Sequence, residues 1–214
     1  MLSVQAHSPP APAEIRLTQH YDVLKELGES YAALGRLDEA EQCYLQAATL
    51  APARAEPYVG IGIVAVQRGR LDQAEAAFEI AAERQADCAE AYGGLAMVRQ
   101  QQADYAGALD MYLRCLELDA DNLVALLGLF QTSCQMGTFA QVIHYLELYL
   151  NRHPGDASVL FCLATLYARE GQLERAEDCL LSVLALEPGK AEAARLLEQV
   201  RGERAAAAPD AISA

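Results

Sequence analysis

The sequence predicts an all-α protein, an α-solenoid of stacked helical hairpins. Self-similarity with a period of 34 residues runs from Tyr21 to Lys190 without an insertion. Within each unit, position fifteen is glycine in four cases of five, and position thirty-two is proline in three. Glycine ends a helix in the left-handed conformation, and proline prevents a helix from continuing. Each unit is therefore expected to contain two helices joined by a turn.

The repeat boundaries follow from this period. The five units span residues 21–54, 55–88, 89–122, 123–156 and 157–190. Small residues at positions eight and twenty allow the two helices of a unit to approach closely, and a large apolar residue at position twenty-four fills the gap against the next hairpin. One hairpin cannot bury its own apolar face, so we expect neighbouring hairpins to stack.

The first unit carries the repeat motif most completely. Its characteristic residues are Leu27, Gly28, Tyr31, Gly35, Ala40, Tyr44, Ala47 and Pro52. This pattern resembles the tetratricopeptide repeat (TPR) at almost every position, and the five units cover about four-fifths of the chain. The resemblance implies a right-handed superhelix of five antiparallel hairpins, with a concave groove that is lined by the first helix of each unit and binds proteins or peptides.

The flanking segments predict one repeat domain, residues 14–204, between two loose tails. Residues 14–20 are expected to extend the first helix backwards. Residues 191–204 form an amphipathic helix that is expected to cap the apolar face of repeat five. The proline-rich residues 1–13 and the alanine-rich residues 205–214 have little apolar surface to bury, so we expect both tails to be disordered.

The charge balance and hydropathy exclude two kinds of partner. The chain has 16 Lys and Arg against 30 Asp and Glu, for a net charge of -14, which would repel nucleic acid. The longest apolar run, Val159 to Ala164, is far shorter than the ~18 residues that a membrane span requires. The amino terminus lacks a signal core. We therefore expect neither nucleic-acid binding nor membrane insertion.

The cysteine content indicates a reducing compartment. The six cysteines form no CxxC pair and are expected to be small apolar core residues in the cytoplasm. The strong preference for arginine over lysine, together with the high alanine content, suggests a bacterial coding sequence.

Residues for catalysis or cofactor binding do not stand out. The four histidines include no pair at helical spacing for a metal site. The Gly60-Ile61-Gly62 segment lies inside a predicted helix without a preceding strand, unlike a phosphate loop. We therefore expect a protein that is not an enzyme and that uses no metal or cofactor.

The resemblance to TPR proteins also predicts which residues line the groove. Positions two, five, six, nine, twelve and thirteen of each first helix do so in that family. The predicted peptide-binding residues are Val59, Gly60, Ile63, Gly94, Met97, Gln101, Leu127, Gly128, Gln131, Phe161 and Thr165. This surface is apolar and amide-rich.

One family subtype is not expected. Chaperone-binding TPR proteins hold an acidic carboxyl terminus with a clamp of basic and amide side chains. At the matching positions of this sequence only Lys25 fits, and the other four are Glu29, Gly60, Glu90 and Gly94.

The glycines at position six allow two interpretations. Gly60, Gly94 and Gly128 recur in three successive units, although glycine inside a helix costs about 1 kcal/mol relative to alanine. Either they form a smooth groove floor that a partner can approach closely, or they permit close packing inside the protein.

Repeat four departs from the pattern. Phe130, Val142 and Tyr149 stand where small residues are expected. Their bulk is expected to push the two helices of this hairpin apart, unless the core repacks at equal volume.

The sequence therefore predicts a cytoplasmic interaction adaptor or scaffold that binds an apolar or amphipathic segment of a protein partner. One alternative is a self-assembling scaffold, a homo-oligomer in which a terminal helix or residues 14–20 of one molecule fill the groove of another. A second alternative is a secretion or assembly chaperone for an unfolded client.

Overall fold

The computed structural model describes residues 12–207, of which residues 12–19 and 207 are described by their backbone alone. These residues form eleven α-helices and no β-strand. The helices are α1 (Pro12–Ala33), α2 (Leu37–Leu50), α3 (Glu56–Gln67), α4 (Leu71–Arg84), α5 (Ala89–Gln101), α6 (Tyr105–Leu118), α7 (Leu123–Met136), α8 (Ala140–Arg152), α9 (Ala157–Arg169), α10 (Leu173–Leu186) and α11 (Ala191–Ala207). The prediction of an all-α chain with two helices per repeat and one additional helix is confirmed.

The turn inside each repeat passes through left-handed backbone at position fifteen. The φ angle is 72° at Gly35, 69° at Gly69, 70° at Gly137 and 72° at Gly171. Glycine adopts this conformation freely because it has no Cβ atom. In repeat three Ala103 takes the same role with φ of 63°, a conformation that costs an L-residue roughly 1–2 kcal/mol.

The helices group into two compact units that divide between Ala103 and Asp104. In the first unit α1 packs on α2 and α3 on α4, while α2 contacts α3 and α4 contacts α5. In the second unit α6 packs on α7, α8 on α9 and α9 on α10, and α11 closes the end against α9 and α10. The sequence predicts one domain over residues 14–204, and the division falls inside its third repeat.

The outer helices extend beyond the predicted domain bounds. Helix α1 begins at Pro12, ahead of the predicted start at Glu14, and proline is well tolerated in a first helical turn. Helix α11 runs to Ala207, past the predicted end at Arg204. The remaining residues of the two predicted tails, 1–11 and 208–214, lie outside the described residues.

The core of each unit is built from the facing sides of its helices. In the first unit the ring of Tyr44 packs with Ala40 and Val64, and a second cluster forms around Ala81 and Cys88. In the second unit the large buried side chains include Leu126, Leu129, Leu146, Tyr167 and Leu180. Hairpin stacking thus buries the apolar stripe that a single hairpin would leave in water.

Repeats one, two, four and five each have both helices in one compact unit. Among these, repeat four has the most loosely packed hairpin. Helices α7 and α8 pack against each other less extensively than α3 and α4 or α9 and α10 do. Val142 and Tyr149 are buried and Phe130 is half-buried, so the bulk of all three takes up space in the packed part of this repeat. The hydroxyl groups of Thr132 and Ser133 are buried in this hairpin without a hydrogen-bond partner.

Candidate functional site

The glycines at position six lie directly against an aromatic ring of the preceding repeat. A Cβ atom built on any of them would overlap that ring. All three glycines are buried. The pairs are Gly60 with Tyr44, Gly94 with Phe78, and Gly128 with Tyr112. Close packing therefore accounts for this row of glycines, because no larger residue leaves room for the ring.

In the first unit, each ring also contacts a glycine of its own repeat. A Cβ atom at Gly28 would lie 2.7 Å from the ring of Tyr44, and one at Gly62 would lie 2.6 Å from the ring of Phe78. Both glycines stand at position eight of the repeat that supplies the ring. Each ring thus lies close to both its own first helix and the first helix of the next repeat.

A cleft of about 480 Å³ opens in the first unit over the ring of Tyr44. Its sides come from the first helices α1, α3 and α5, with further residues from α2 and the segment between α4 and α5. The lining residues are Lys25, Glu29, Tyr44, Glu56, Val59, Gly60, Ile63, Gln85, Cys88 and Glu90. Three of the predicted groove residues, Val59, Gly60 and Ile63, are brought together here.

The middle of the cleft is apolar. Ile63 is 39% exposed and Val59 is half-buried, so their aliphatic groups face the open space. The Tyr44 ring beneath them is only 4% exposed. Burial, with a smaller contribution from the charge of Glu29, raises the pKa of Tyr44 to about 12, so its hydroxyl stays neutral at physiological pH.

Charged groups surround this apolar centre. The ammonium of Lys25 lies 3.7 Å from a carboxylate oxygen of Glu29. Arg54, outside the cleft, donates a hydrogen bond of 2.7 Å to Glu56. Burial alone would raise the pKa of Glu56, but the hydrogen bonds from Arg54 and the backbone outweigh it and hold the pKa below its usual value. Glu56 is therefore ionised at neutral pH.

The third carboxylate, Glu90, has a weaker partner. The thiol of Cys88 donates to an oxygen of Glu90 over 3.6 Å. Burial raises the pKa of Cys88, which keeps the thiol protonated as that donor. Glu90 is exposed at the first turn of α5, where the amino end of the helix favours a negative charge.

The other predicted groove residues do not line this cleft. On α5, Gly94 is buried, Met97 is half-buried and Gln101 is exposed. Met97 and Gln101 lie further along the same helix than Glu90.

The second unit contains the remaining predicted residues. On α7, Leu127 is half-buried and Gln131 is exposed, while Gly128 is buried. On α9, the hydroxyl of Thr165 donates a hydrogen bond of 2.8 Å to the carbonyl oxygen of Phe161. The ammonium of Lys190 lies 5.5 Å from the centre of the Phe161 ring, a cation–π distance.

Sequence reasoning missed part of the cleft. Gln85 and Cys88 come from the segment between two repeats, and Tyr44 reaches the cleft from a second helix, so groove positions on first helices could not reveal them. Glu56 and Glu90, which also line the cleft, stand at position two, one of the groove positions that the resemblance predicted.

Other kinds of site are not formed by the described residues. Among residues 12–207, no group of three or more metal-ligating side chains is close enough to hold a metal ion. None of the six cysteines, all of which lie within these residues, forms a disulfide bond; Cys88 and Cys115 are buried and the other four are half-buried. None of the helices within these residues has the length and apolar character to cross a lipid bilayer.

Family comparison identifies the repeat. Three family models, each for the Tetratricopeptide repeat, match residues 21–54, 59–122 and 135–200. This chain belongs to the tetratricopeptide repeat family. The match over residues 21–54 coincides with the predicted first repeat. TPR proteins are in general interaction modules rather than enzymes.

Solved structures with the same fold confirm the TPR architecture. The pilF protein of Pseudomonas aeruginosa is 20% identical with a TM-score of 0.73, and the match covers 88% of this chain and 87% of pilF. YrrB, a TPR protein with an unusual peptide-binding site, is 19% identical with a TM-score of 0.62, over 84% of this chain and 90% of YrrB. The first TPR domain of Spaghetti, bound to the HSP90 peptide SRMEEVD, is 25% identical with a TM-score of 0.52, over 56% of this chain and 94% of that domain. No curated protein sequence matches this TPR chain.

Proposed function

We propose that this TPR protein is an interaction adaptor that binds an apolar or amphipathic segment of a protein partner. The observation that carries the proposal is the cleft of the first unit, where Val59 and Ile63 form an apolar centre over Tyr44. A concave apolar surface with polar groups around it is the usual form of a binding site. Covering Ile63, which is 39% exposed, removes apolar surface from water and favours association.

The exposed and half-buried groove residues outside the cleft extend the proposed surface within each unit. They are Met97 and Gln101 in the first unit, and Leu127, Gln131, Phe161 and Thr165 in the second. Gly60, Gly94 and Gly128 support the same surface indirectly, because they let the first helices lie close to the rings beneath them.

Two solved relatives support a peptide as the type of partner. YrrB has a peptide-binding site, and the Spaghetti domain is bound to the peptide SRMEEVD. Three glutamates line the cleft of the present protein. They would repel an acidic peptide of that kind, so our proposal names an apolar or amphipathic segment instead.

We also propose that the protein acts in the cytoplasm of a bacterial cell. Its six cysteines form no disulfide bond in the described residues, and a reducing compartment keeps thiols in that state. Fractionation of bacteria that express a tagged copy checks this proposal.

Photo-crosslinking tests the proposed binding surface. A photoreactive residue replaces Ile63 in the full chain, and irradiated cells are analysed for crosslinked peptides by mass spectrometry. The matched control carries the same residue at Leu45, which is 52% exposed on the second helix α2. We expect a specific protein adduct from position 63 and none from position 45, and Ile63→Glu in a pull-down should lose the same partner.

Two other results would overturn the proposal. Equal adducts from both positions would mean that the cleft is not the binding surface. Adducts formed only with a second copy of the chain, together with a size that increases with concentration in light scattering, would establish the self-assembling scaffold instead.

A further inference from the structure

The charges around the cleft of the first unit are unbalanced. Glu29, Glu56 and Glu90 contribute three carboxylates, and Lys25 contributes one ammonium. Lys25 pairs with Glu29, and Arg54 pairs with Glu56 from outside the cleft. Within residues 12–207, Glu90 has no such basic partner, and its neighbour is the protonated thiol of Cys88.

The position of Glu90 makes its charge available to a ligand. Its side chain is exposed, and the weak donor at 3.6 Å leaves acceptor sites on both carboxylate oxygens. A guanidinium or ammonium group would form a charge-assisted hydrogen bond there, which is stronger than one between neutral groups. An anionic side chain at the same place would meet like charge without compensation.

The apolar centre lies in the same cleft as this carboxylate. Val59 and Ile63 come from α3, and Glu90 comes from the first turn of α5, the next first helix in the unit. A ligand that fills the cleft of about 480 Å³ therefore meets aliphatic groups and a carboxylate together. Long basic side chains satisfy both, because their methylene stems pack on apolar surface while the charged end reaches a polar group.

We infer that the cleft of the first unit selects a partner segment in which an arginine or lysine is flanked by apolar side chains. This inference rests on the proposed function and specifies its partner. Glu90 receives the basic group, and Val59 and Ile63 receive its apolar neighbours. The overall charge of -14 adds a long-range attraction for such a segment, which increases the rate of encounter.

Three labelled peptides test the selectivity on the full chain. They are twelve-residue leucine–alanine peptides with arginine, glutamine or glutamate at two central positions, and their binding is measured by fluorescence anisotropy. We expect the arginine peptide to bind about fivefold more tightly than the glutamine peptide at low salt, and the glutamate peptide to bind most weakly. The difference should shrink in 0.5 M salt, because ions screen exposed charges.

Matched variants locate the effect. Glu90→Gln should weaken binding of the arginine peptide by about two- to fivefold and leave the glutamine peptide unchanged. The control Glu79→Gln removes the same charge from an exposed position on α4 that does not line the cleft, and it should change neither affinity. Circular dichroism verifies that both variants keep the helical content of the parent.

The outcomes separate this inference from the proposed function. Equal binding of the arginine and glutamine peptides would overturn the inference while the apolar cleft still stands. An equal loss from Glu79→Gln and Glu90→Gln would also overturn it, because attraction to the whole acidic chain would then explain the preference. If none of the three peptides binds, the proposed peptide-binding function of the cleft fails as well.

Discussion

The ring of Phe78 occupies the space that a side chain at Gly94 would need. These two residues belong to consecutive repeats, and the ring is 1% exposed. The ring also meets Gly62 of its own repeat. The junction between repeats two and three therefore contains one aromatic side chain that contacts two helices, and each helix has a glycine at the point of contact.

Gly94→Ala should destabilise the protein in spite of the better helix propensity of alanine. The added methyl overlaps the Phe78 ring, and overpacking of this kind typically costs about 1–3 kcal/mol, against a propensity gain of about 1 kcal/mol. Urea unfolding measures the change in the free energy of unfolding. The control Gly155→Ala, where nothing lies within 4 Å, should stay within about 0.5 kcal/mol of the parent. An unchanged stability of Gly94→Ala would contradict the packing role of the glycine.

Ala103→Gly should stabilise the protein by about 1 kcal/mol. Ala103 is held at φ of 63°, which is strained for any residue with a Cβ atom. Thermal unfolding detects the gain as a higher midpoint. The reverse change, Gly69→Ala, places alanine at φ of 69° with no neighbour within 4 Å, so its expected loss of about 1–2 kcal/mol isolates the conformational cost. A lower midpoint for Ala103→Gly would show that the turn of repeat three is not strained.

Thr132→Val should increase the stability of repeat four by about 1 kcal/mol. The Thr132 hydroxyl is fully buried without a hydrogen-bond partner, and burial of such a group costs about 1–3 kcal/mol. Valine has the same shape without the polar atom. The control is Thr165→Val, which removes a hydroxyl that donates 2.8 Å to a carbonyl oxygen and so should not stabilise. If chemical denaturation shows that both substitutions change the free energy of unfolding equally, the missing hydrogen bond of Thr132 does not affect stability.

The ion pair of Glu147 should make stability depend on acid pH. The hydroxyl of Tyr167 donates to this carboxylate, burial opposes ionisation, and Arg175 donates over 2.5 Å, so that the pKa of Glu147 is lowered from its ordinary value of 4.5. A lowered pKa in the folded state means that the unfolded chain takes up the proton first. The contribution of the pair is therefore complete above about pH 4.5 and is lost as the pH falls through the lower folded value.

Thermal unfolding midpoints at pH 7, 5, 4 and 3 measure this dependence. In Glu147→Gln the midpoint should fall less steeply between pH 5 and pH 3 than in the parent. Glu79→Gln, which removes a carboxylate from an exposed position on α4, serves as the comparison. Parallel curves for the parent and Glu147→Gln would mean that the pair contributes nothing to acid sensitivity.

The sequence predicted the helices well because the signals that determine them are local. Glycine at position fifteen predicts a positive φ angle at that same residue, as found at Gly35 and Gly171. The bulk of Val142 in repeat four likewise predicted a looser hairpin, since a buried side chain needs volume wherever its helix packs.

The site was less predictable because it depends on contacts between distant residues. The role of Gly60 remained open in the sequence, since the ring that meets it belongs to Tyr44, sixteen residues earlier, and glycine itself does not specify its neighbour. The acidic character of the cleft was underestimated. The resemblance placed Glu29 and Glu90 at groove positions, yet the surface was expected to be apolar and amide-rich, and the structure shows both carboxylates lining one cleft.

The pairing of ring and glycine limits how repeats of this protein can be exchanged. In the first three joints an aromatic residue at position twenty-four precedes a glycine at position six of the next repeat. Between repeats four and five the corresponding residues are Leu146 and Cys162. Leucine is smaller than the aromatic residues of the other junctions, and cysteine is larger than their glycines. A chimaera that joins repeat two directly to repeat five would set Phe78 against Cys162, two residues that do not fit the same space. Compatible junctions, rather than compatible repeats, thus determine which rearrangements of this chain can fold.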